Sequence, residues 1–223
     1  RAAGAAYNLV SEEIDAKGAT PMDKELFDYD AELRKDYPII CGVDEAGRGP
    51  LAGDVYAAAV ILSNDVLIDY LNDSKKISES RREKLYDEII EKADAYCIAT
   101  ASVKEIDKIN ILQAAMLAMK RAVEGLGVAP DLALIDGNKL PDINCEARYV
   151  IKGDATSASI SAASILAKVA RDRYMCKIAE QYPQYGFDKH KGYGTKLHYE
   201  MLEKYGVSDI HRKTFLKKFY EKL

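Results

Sequence analysis

The sequence predicts an α/β fold, a mixed β-sheet flanked by helices, with a C-terminal helical extension. Three observations predict it. Three early apolar stretches of β character (37–45, 54–62 and 95–103) read as strands joined by tight turns. Helical and strand patterns then alternate along the chain. Hydrophobic residues make up 48% of the 223 residues and charged residues 30%, the profile of one large globular domain, or one domain with a small appendage.

The elements follow in order. Residues 8–36 are acidic and roughly amphipathic, with apolar Val10, Ile14, Met22, Leu26, Phe27 and Leu33. They predict one or two lead-in helices. Strand 37–45 passes through Gly47, Gly49, Pro50 and Gly53 into strand 54–62, a spacing that fits a hairpin connection. Ser78 is a good N-cap for a helix over 79–92. Strand 95–103 comes next, and Ile109, Leu112, Met116, Met119 and Val123 give residues 104–125 a helical period. Pro130 precedes strand 131–136, and strand 147–152 leads to a long helix over 156–181. In that helix eight of the eleven residues from Ser157 to Ala167 are Ser or Ala, small enough to lie close against a sheet or a substrate backbone. Helices near 195–205 and 212–222 close the chain. The expected division is a lead-in or appendage over 1–36, a core over 37–185 and a basic extension over 186–223.

No stretch approaches the ~20 apolar residues of a membrane span. The first residues lack Met and the apolar centre of a signal peptide, so the chain reads as trimmed at its N-terminus and cytoplasmic. Cys41, Cys97, Cys145 and Cys176 contain no CxxC pair and read as buried, reduced thiols. His190, His198 and His211 lack the spacing of a zinc site. The net charge of −4 argues against indiscriminate coating of nucleic acid. Its distribution is uneven: residues 186–223 carry nine Lys/Arg against five Asp/Glu. This basic region is either a solvated helical face or a surface for an anionic partner.

Chemistry concentrates at strand ends. Asp44 and Glu45 end the first strand, and Gly47-Arg48-Gly49 follows them. Asp136 ends the strand Leu132–Ile135, and Asp154 follows Lys152-Gly153. A single such ending is usually a turn. Several in one sheet can converge, and converging carboxylates raise one another's pKa unless a cation intervenes. Hard divalent cations prefer these oxygen ligands, and two of them ~3.5–4 Å apart clamp the attacking and leaving oxygens of phosphoryl transfer. Adjacent strand residues face opposite sides, so a bend near Glu45–Gly47 is expected if Asp44 and Glu45 serve one site. Asp172 is a rival fourth carboxylate, although within Arg171-Asp172-Arg173 a surface ion pair is its ordinary explanation. Lys75 and Lys76, ahead of a helix N-terminus, are either phosphate ligands or solvated lysines. In His190-Lys191-Gly192-Tyr193-Gly194-Thr195 an aromatic stands beside basic groups, as for stacking on a sugar or base.

Together these residues resemble the ribonuclease HII family, over roughly residues 37–215. The resemblance rests on six segments in order: 44–53, 73–76, 134–137, 152–154, 161–172 and 185–195. It implies a ribonuclease H-like fold and use of Mg²⁺ or Mn²⁺. The implied partners are RNA–DNA hybrid duplexes and DNA duplexes containing ribonucleotides, acted on by a monomer. Cleavage would fall 5′ of a single embedded ribonucleotide, leaving a 5′-phosphate and a 3′-hydroxyl. The resemblance assigns metal binding and catalysis to Asp44, Glu45, Asp136 and Asp154. It gives ribose recognition to Gly47-Arg48-Gly49 and sugar stacking to Tyr193. Lys75, Lys76, His190 and Lys191 are candidate substrate-binding residues. The residues by themselves also admit a Mg-dependent ATPase or sugar kinase, or a non-enzymatic nucleic-acid binding module.

Overall fold

The computed structural model describes residues 24–69, 71 and 77–221. The helix expected before residue 24 lies outside them, and the first helix, α1, spans Lys24–Leu33. Five strands follow: β1 Ile40–Ala46, β2 Val55–Ile61, β3 Ala95–Ala101, β4 Leu132–Asp136 and β5 Glu146–Val150. They form one sheet ordered β3-β2-β1-β4-β5. β1, β2 and β3 pair antiparallel, whereas β4 runs parallel to β1 and β5 parallel to β4. Only the first of the expected tight turns exists. β2 reaches β3 across residues 62–94, which carry α2 (Glu79–Lys92), capped by Ser78 as its sequence suggests.

The single helix expected over 104–125 is two, α3 (Val103–Ile109) and α4 (Ile111–Glu124). Asn110 breaks it. Its φ of 67° suits a residue that tolerates the left-handed region, and its side chain accepts the Leu112 and Gln113 N–H groups at 3.0 and 3.1 Å. The apolar period runs through the break because both helices bury the same side.

Strand alternation sends successive side chains to opposite faces. On one face Cys41, Val43, Ala57, Ala59 and Ile135 pack against Ala115, Ala118, Met119 and Ala122 of α4. On the other, Ile40, Ala58, Val60 and Leu134 meet the long helix α5 (Ala158–Gln181) and its Ile160, Ala162, Ala163 and Ile165. The Ser/Ala content of α5 has a direct reason. A Cβ added at Gly42 of β1 would lie 2.0 Å from the backbone carbon of Ser159. Helix and strand touch backbone to backbone, and only small side chains allow that approach.

α1 has a defined task. Asp30 is buried and accepts hydrogen bonds from the Ser157 hydroxyl (2.6 Å), the Ser159 N–H (2.8 Å) and the Ser159 hydroxyl (2.7 Å). It satisfies orphan donors at the N-terminus of α5 and places a negative charge where the helix dipole favours one.

The C-terminal segment folds as α6 (Phe187–His190), α7 (Lys196–Tyr205), a 3₁₀ turn (Lys213–Leu216) and α8 (Lys217–Tyr220). Its core joins Leu51 and Ala52 of the β1–β2 loop to Met175 and Ile178 of α5, and to Tyr185, Phe187, Leu202 and Leu216. Three buried histidines lie within it. His190 stacks on His198 with ring centroids 4.5 Å apart, and His198 Nε2 lies 3.0 Å from His211 Nε2. Of the four cysteines, all free, only Cys41 is fully buried, and Cys176 is exposed, contrary to the expectation of four buried thiols.

Burial pushes His198 and His211 down to about 4, the neighbouring imidazoles adding to the shift. An unfolded-chain histidine titrates near ~6.5. Between about pH 4 and 6.5 the unfolded chain therefore binds more protons than the fold, so stability falls as pH is lowered across that window. Urea denaturation at pH 7 and pH 5 should show the midpoint dropping at the lower pH. The drop should shrink in His211→Gln, which has no imidazole to protonate there.

Candidate active site

The parallel pairing of β1 with β4 ends at Val43 opposite Ile135. Beyond it β1 continues only beside β2, through Ala46 opposite Tyr56, while Asp136 continues beside β5 opposite Val150. The sheet thus opens at the carboxyl ends of its two central strands, the place where open α/β sheets bind ligands. A cleft of about 350 Å³ occupies the gap. Asp44, Glu45 and Asp136 line it from the sheet, Gly47-Arg48-Gly49 from the β1–β2 loop, Ser164, Lys168 and Arg171 from α5, and Tyr193 from the C-terminal segment.

The bend expected near Glu45–Gly47 falls at Gly47. β1 keeps its antiparallel register with β2 through Ala46, and the chain turns only at Gly47, whose φ is 97°. Asp44 and Asp136 lie on the α5 face, Glu45 on the other. Both β1 carboxylates reach one cleft because the strand end has lost β4 as a neighbour, leaving both its faces open to the gap.

Asp44 is only 6% exposed. It accepts the Glu45 N–H at 2.7 Å and a hydrogen bond from the Ser164 side chain. These bonds do not offset its surroundings. Burial, then the charges of Glu45 and Asp136, hold its carboxyl well above the usual range. Asp136 Oδ1 accepts the Gly153 N–H at 2.7 Å, which fixes the rotation of that carboxylate. Glu45 Oε1 lies 3.3 Å from the half-exposed Arg48 guanidinium. A set of oxygen donors that raises the proton affinity of one of its members has the chemistry of a hard divalent-cation site, although among the described residues no three or more His, Cys, Asp or Glu stand together in metal-holding geometry.

The remaining expectations divide. Asp154 is buried in the 3₁₀ turn Gly153–Ala155 between β5 and α5, next to the glycine that holds Asp136; it is not among the cleft-lining residues. Its rival Asp172 holds Lys168 Nζ 2.6 Å from both carboxylate oxygens. It is thus in an ion pair, as its sequence setting suggests, but with Lys168; Arg173 pairs with Glu83, and Arg171 is buried. Tyr193 is 44% exposed, and its ring faces Gly49. His190 is not presented to the cleft. Its Nε2 donates to the Tyr185 carbonyl at 2.8 Å and its Nδ1 accepts the Gly192 N–H at 3.2 Å, so it braces the turn from below. Lys191 likewise turns its ammonium to the Asp188 carbonyl and, at 3.3 Å, to Cys176 Sγ. Lys75 and Lys76 lie outside the described residues.

Sequence reasoning missed two arginines. Arg171 is 1% exposed and donates to the carbonyls of Asp54, Lys191 and Ala52 at 3.3, 3.0 and 3.1 Å. Its side chain fills the space where a Cβ on Gly47 would stand, 2.1 Å from Nε. Arg212 is fully buried and donates five hydrogen bonds of 2.7–3.1 Å to the carbonyls of Gly47, Arg48, Pro50 and Gly53. Burial and the charge of Arg171 push Arg212 down to about 9, so it stays protonated at neutral pH. The sequence signal was faint: a glycine-rich loop with many carbonyls to satisfy, and arginines far away in the chain.

Carboxylates gathered where such a sheet splits, facing a loop held open by glycines, belong to phosphoryl-transfer chemistry, and the strand order is that of the ribonuclease H-like α/β proteins. Comparison with known proteins narrows the class. The Ribonuclease HII family model matches residues 41–218. Ribonuclease HII of Caldicellulosiruptor bescii is 53% identical over 196 residues, covering 87% of this chain and 95% of the relative. Ribonuclease HII of Idiomarina loihiensis is 59% identical over 177 residues, covering 79% and 95%. Among solved structures, ribonuclease H2 of Pyrococcus horikoshii superposes with a TM-score of 0.67 at 26% identity, covering 83% of this chain and all of that one. The chain belongs to the ribonuclease HII family and is a ribonuclease H endonuclease.

Burying Asp44 beside two other carboxylates costs the metal-free fold stability. Asp44→Asn removes that charge and should raise the melting temperature in EDTA at pH 7 by about 4 °C, at roughly 2–4 °C per kcal/mol for a chain of this size. Adding a divalent cation should then raise the melting temperature of the wild type and leave the variant's nearly unchanged, as followed by calorimetry.

Proposed function

We propose that the chain cleaves RNA within RNA–DNA hybrids and cuts 5′ of single ribonucleotides embedded in duplex DNA, leaving a 5′-phosphate and a 3′-hydroxyl. The observation that carries this reading is the placing of Gly47-Arg48-Gly49 between the carboxylates and Tyr193 in one cleft. A 2′-hydroxyl is what distinguishes RNA from DNA at a given position. Backbone groups of that segment read it without regard to base, so discrimination falls on the sugar alone.

Each residue has a task. Asp44, Glu45 and Asp136 hold Mg²⁺ or Mn²⁺, and Asp154, on the turn that braces Asp136, completes the set. A bound divalent cation supplies the Lewis acid that stabilises charge on the scissile phosphate and activates water. Gly153 keeps Asp136 in orientation through its N–H. Arg48 moves between Glu45 and a substrate phosphate, an exchange its half-exposed position and 3.3 Å pairing allow. Tyr193 stacks on the sugar of the adjoining deoxynucleotide. The basic segment 186–223 contacts duplex phosphates, which sets position rather than sequence. The partners are thus hybrid and ribonucleotide-containing duplexes.

Asp136→Asn should lower cleavage of a duplex bearing one ribonucleotide by at least about a thousandfold, the scale of losing one electrostatic stabiliser. Duplex binding by fluorescence anisotropy should stay within about twofold; full activity in this variant would sink the assignment. Arg48→Ala should slow cleavage at a single ribonucleotide about tenfold more than cleavage of an all-RNA hybrid strand, with little change in melting temperature. Equal losses on the two substrates would remove Arg48 from junction reading.

A further inference from the structure

We propose that Arg212 is a positioning residue for ribose recognition: by holding the carbonyls of Gly47 and Arg48 inward, it aims the N–H groups of Arg48 and Gly49 into the cleft. The proposal rests on the reading of Gly47-Arg48-Gly49 as the ribose-binding segment and says what makes that segment competent.

The geometry begins with the peptide group. In a trans peptide the C=O of one residue and the N–H of the next point in opposite directions, and no described peptide bond is cis. Arg212 Nη2 donates to Gly47 O at 2.7 Å, so the Arg48 N–H points away from the guanidinium. Nη1 donates to Arg48 O at 3.1 Å, so the Gly49 N–H does the same. Gly47, Arg48 and Gly49 line the cleft, whereas Arg212 lies behind the loop and does not. The same rule can be checked one turn further on. Nη1 also donates to Pro50 O at 2.8 Å, and the opposed Leu51 N–H is found donating outward from Arg212, to Gly192 O at 2.8 Å. Leu51 has a protein partner for its N–H. Among the described residues the Arg48 and Gly49 N–H groups have none. Two adjacent backbone donors left without a partner at a cleft wall form a site for an oxygen ligand.

The charge on Arg212 is otherwise hard to place. A fully buried guanidinium is costly unless its donors are satisfied, and no carboxylate among the described residues lies within ion-pairing distance of it. Its partners are carbonyl oxygens of one loop. Five donors in a fixed planar fork can pin several carbonyls at once; a lysine ammonium, with three donors at a single point, cannot reproduce that set. Arg171 holds the Ala52 and Asp54 carbonyls of the same loop from the α5 side, so the segment is clamped from two directions.

The test is a pair of binding constants with Ca²⁺ in place of a metal that supports cleavage. One duplex carries a single ribonucleotide, and the other is the same sequence in DNA alone. The wild type should prefer the first. In Arg212→Lys the preference should fall about tenfold, the scale of losing one to two neutral hydrogen bonds, while affinity for the all-DNA duplex stays within about twofold. A merely structural role would weaken both affinities in proportion and leave their ratio intact. That result, or a variant that keeps the full preference, overturns the proposal. A wild type without any preference overturns the ribose reading itself, and the proposal with it. Amide hydrogen exchange on the wild type gives a second measurement that survives a variant that fails to fold. The Arg48 and Gly49 amides should exchange rapidly in the free protein and become protected by the ribonucleotide duplex but not by the DNA duplex. Slow exchange in the free protein, or equal protection by both duplexes, also overturns it.

Discussion

The backbone contact between α5 and β1 is the constraint on which the rest of the structure depends. With Gly42 letting Ser159 approach to within contact of the strand, α5 packs closely on the central strands of the sheet. That placement sets the helix residues that follow. Ser164, Lys168 and Arg171 are spaced by four and three positions, so they share one helical face and meet the cleft in sequence. Ser164 reaches Asp44, Lys168 stands at the cleft wall paired with Asp172, and Arg171 reaches the β1–β2 loop. A side chain at position 42 would displace all three from the carboxylates together. Asp30 of α1 secures the same end of the helix, bonding Ser157 and Ser159 beside that contact.

Electrostatics divides the site into two halves of opposite sign. The sheet end carries carboxylates crowded enough to push Asp44 well above the carboxylate range. The loop beside it rests on two buried arginines whose charge is shared among backbone carbonyls. On the function proposed above, a divalent cation would balance the first half and a substrate phosphate the second. Holding groups unstable alone in fixed positions is how an enzyme prepares stabilisation before the reaction begins.

Much of this was legible in the chain. Acidic residues at the ends of apolar strands, and an aromatic flanked by glycines, are local patterns with local causes. So are the Ser78 cap and the small-residue stretch of 157–167. The break at Asn110 was not legible, because the apolar period continues through it while one side-chain amide caps the second helix. His190 and Lys191 looked like ligands because basic residues beside an aromatic usually face outward; here the imidazole stacks under the turn on His198. Asp172 read as an ion pair rather than a site ligand, and it pairs with Lys168, one helical turn back on α5. Arg212 gave no signal, since its acceptors lie about 160 residues away in the chain.

By itself the sequence determined which strands exist, which residues could bind a cation and which family the chain resembles. These properties depend on residue type and short-range order, and those are written in consecutive residues. Only the tertiary structure decided that the sheet parts between Val43 and Asp136, so that two adjacent carboxylates on opposite strand faces share one cleft just ahead of the turn at Gly47. Only it decided that the distant Arg212 holds the Gly47 and Arg48 carbonyls inward. The physical reason is the same in both cases. A buried polar group must find a partner wherever the fold places one, and the identity of that partner is a property of packing between remote segments, not of the residue itself.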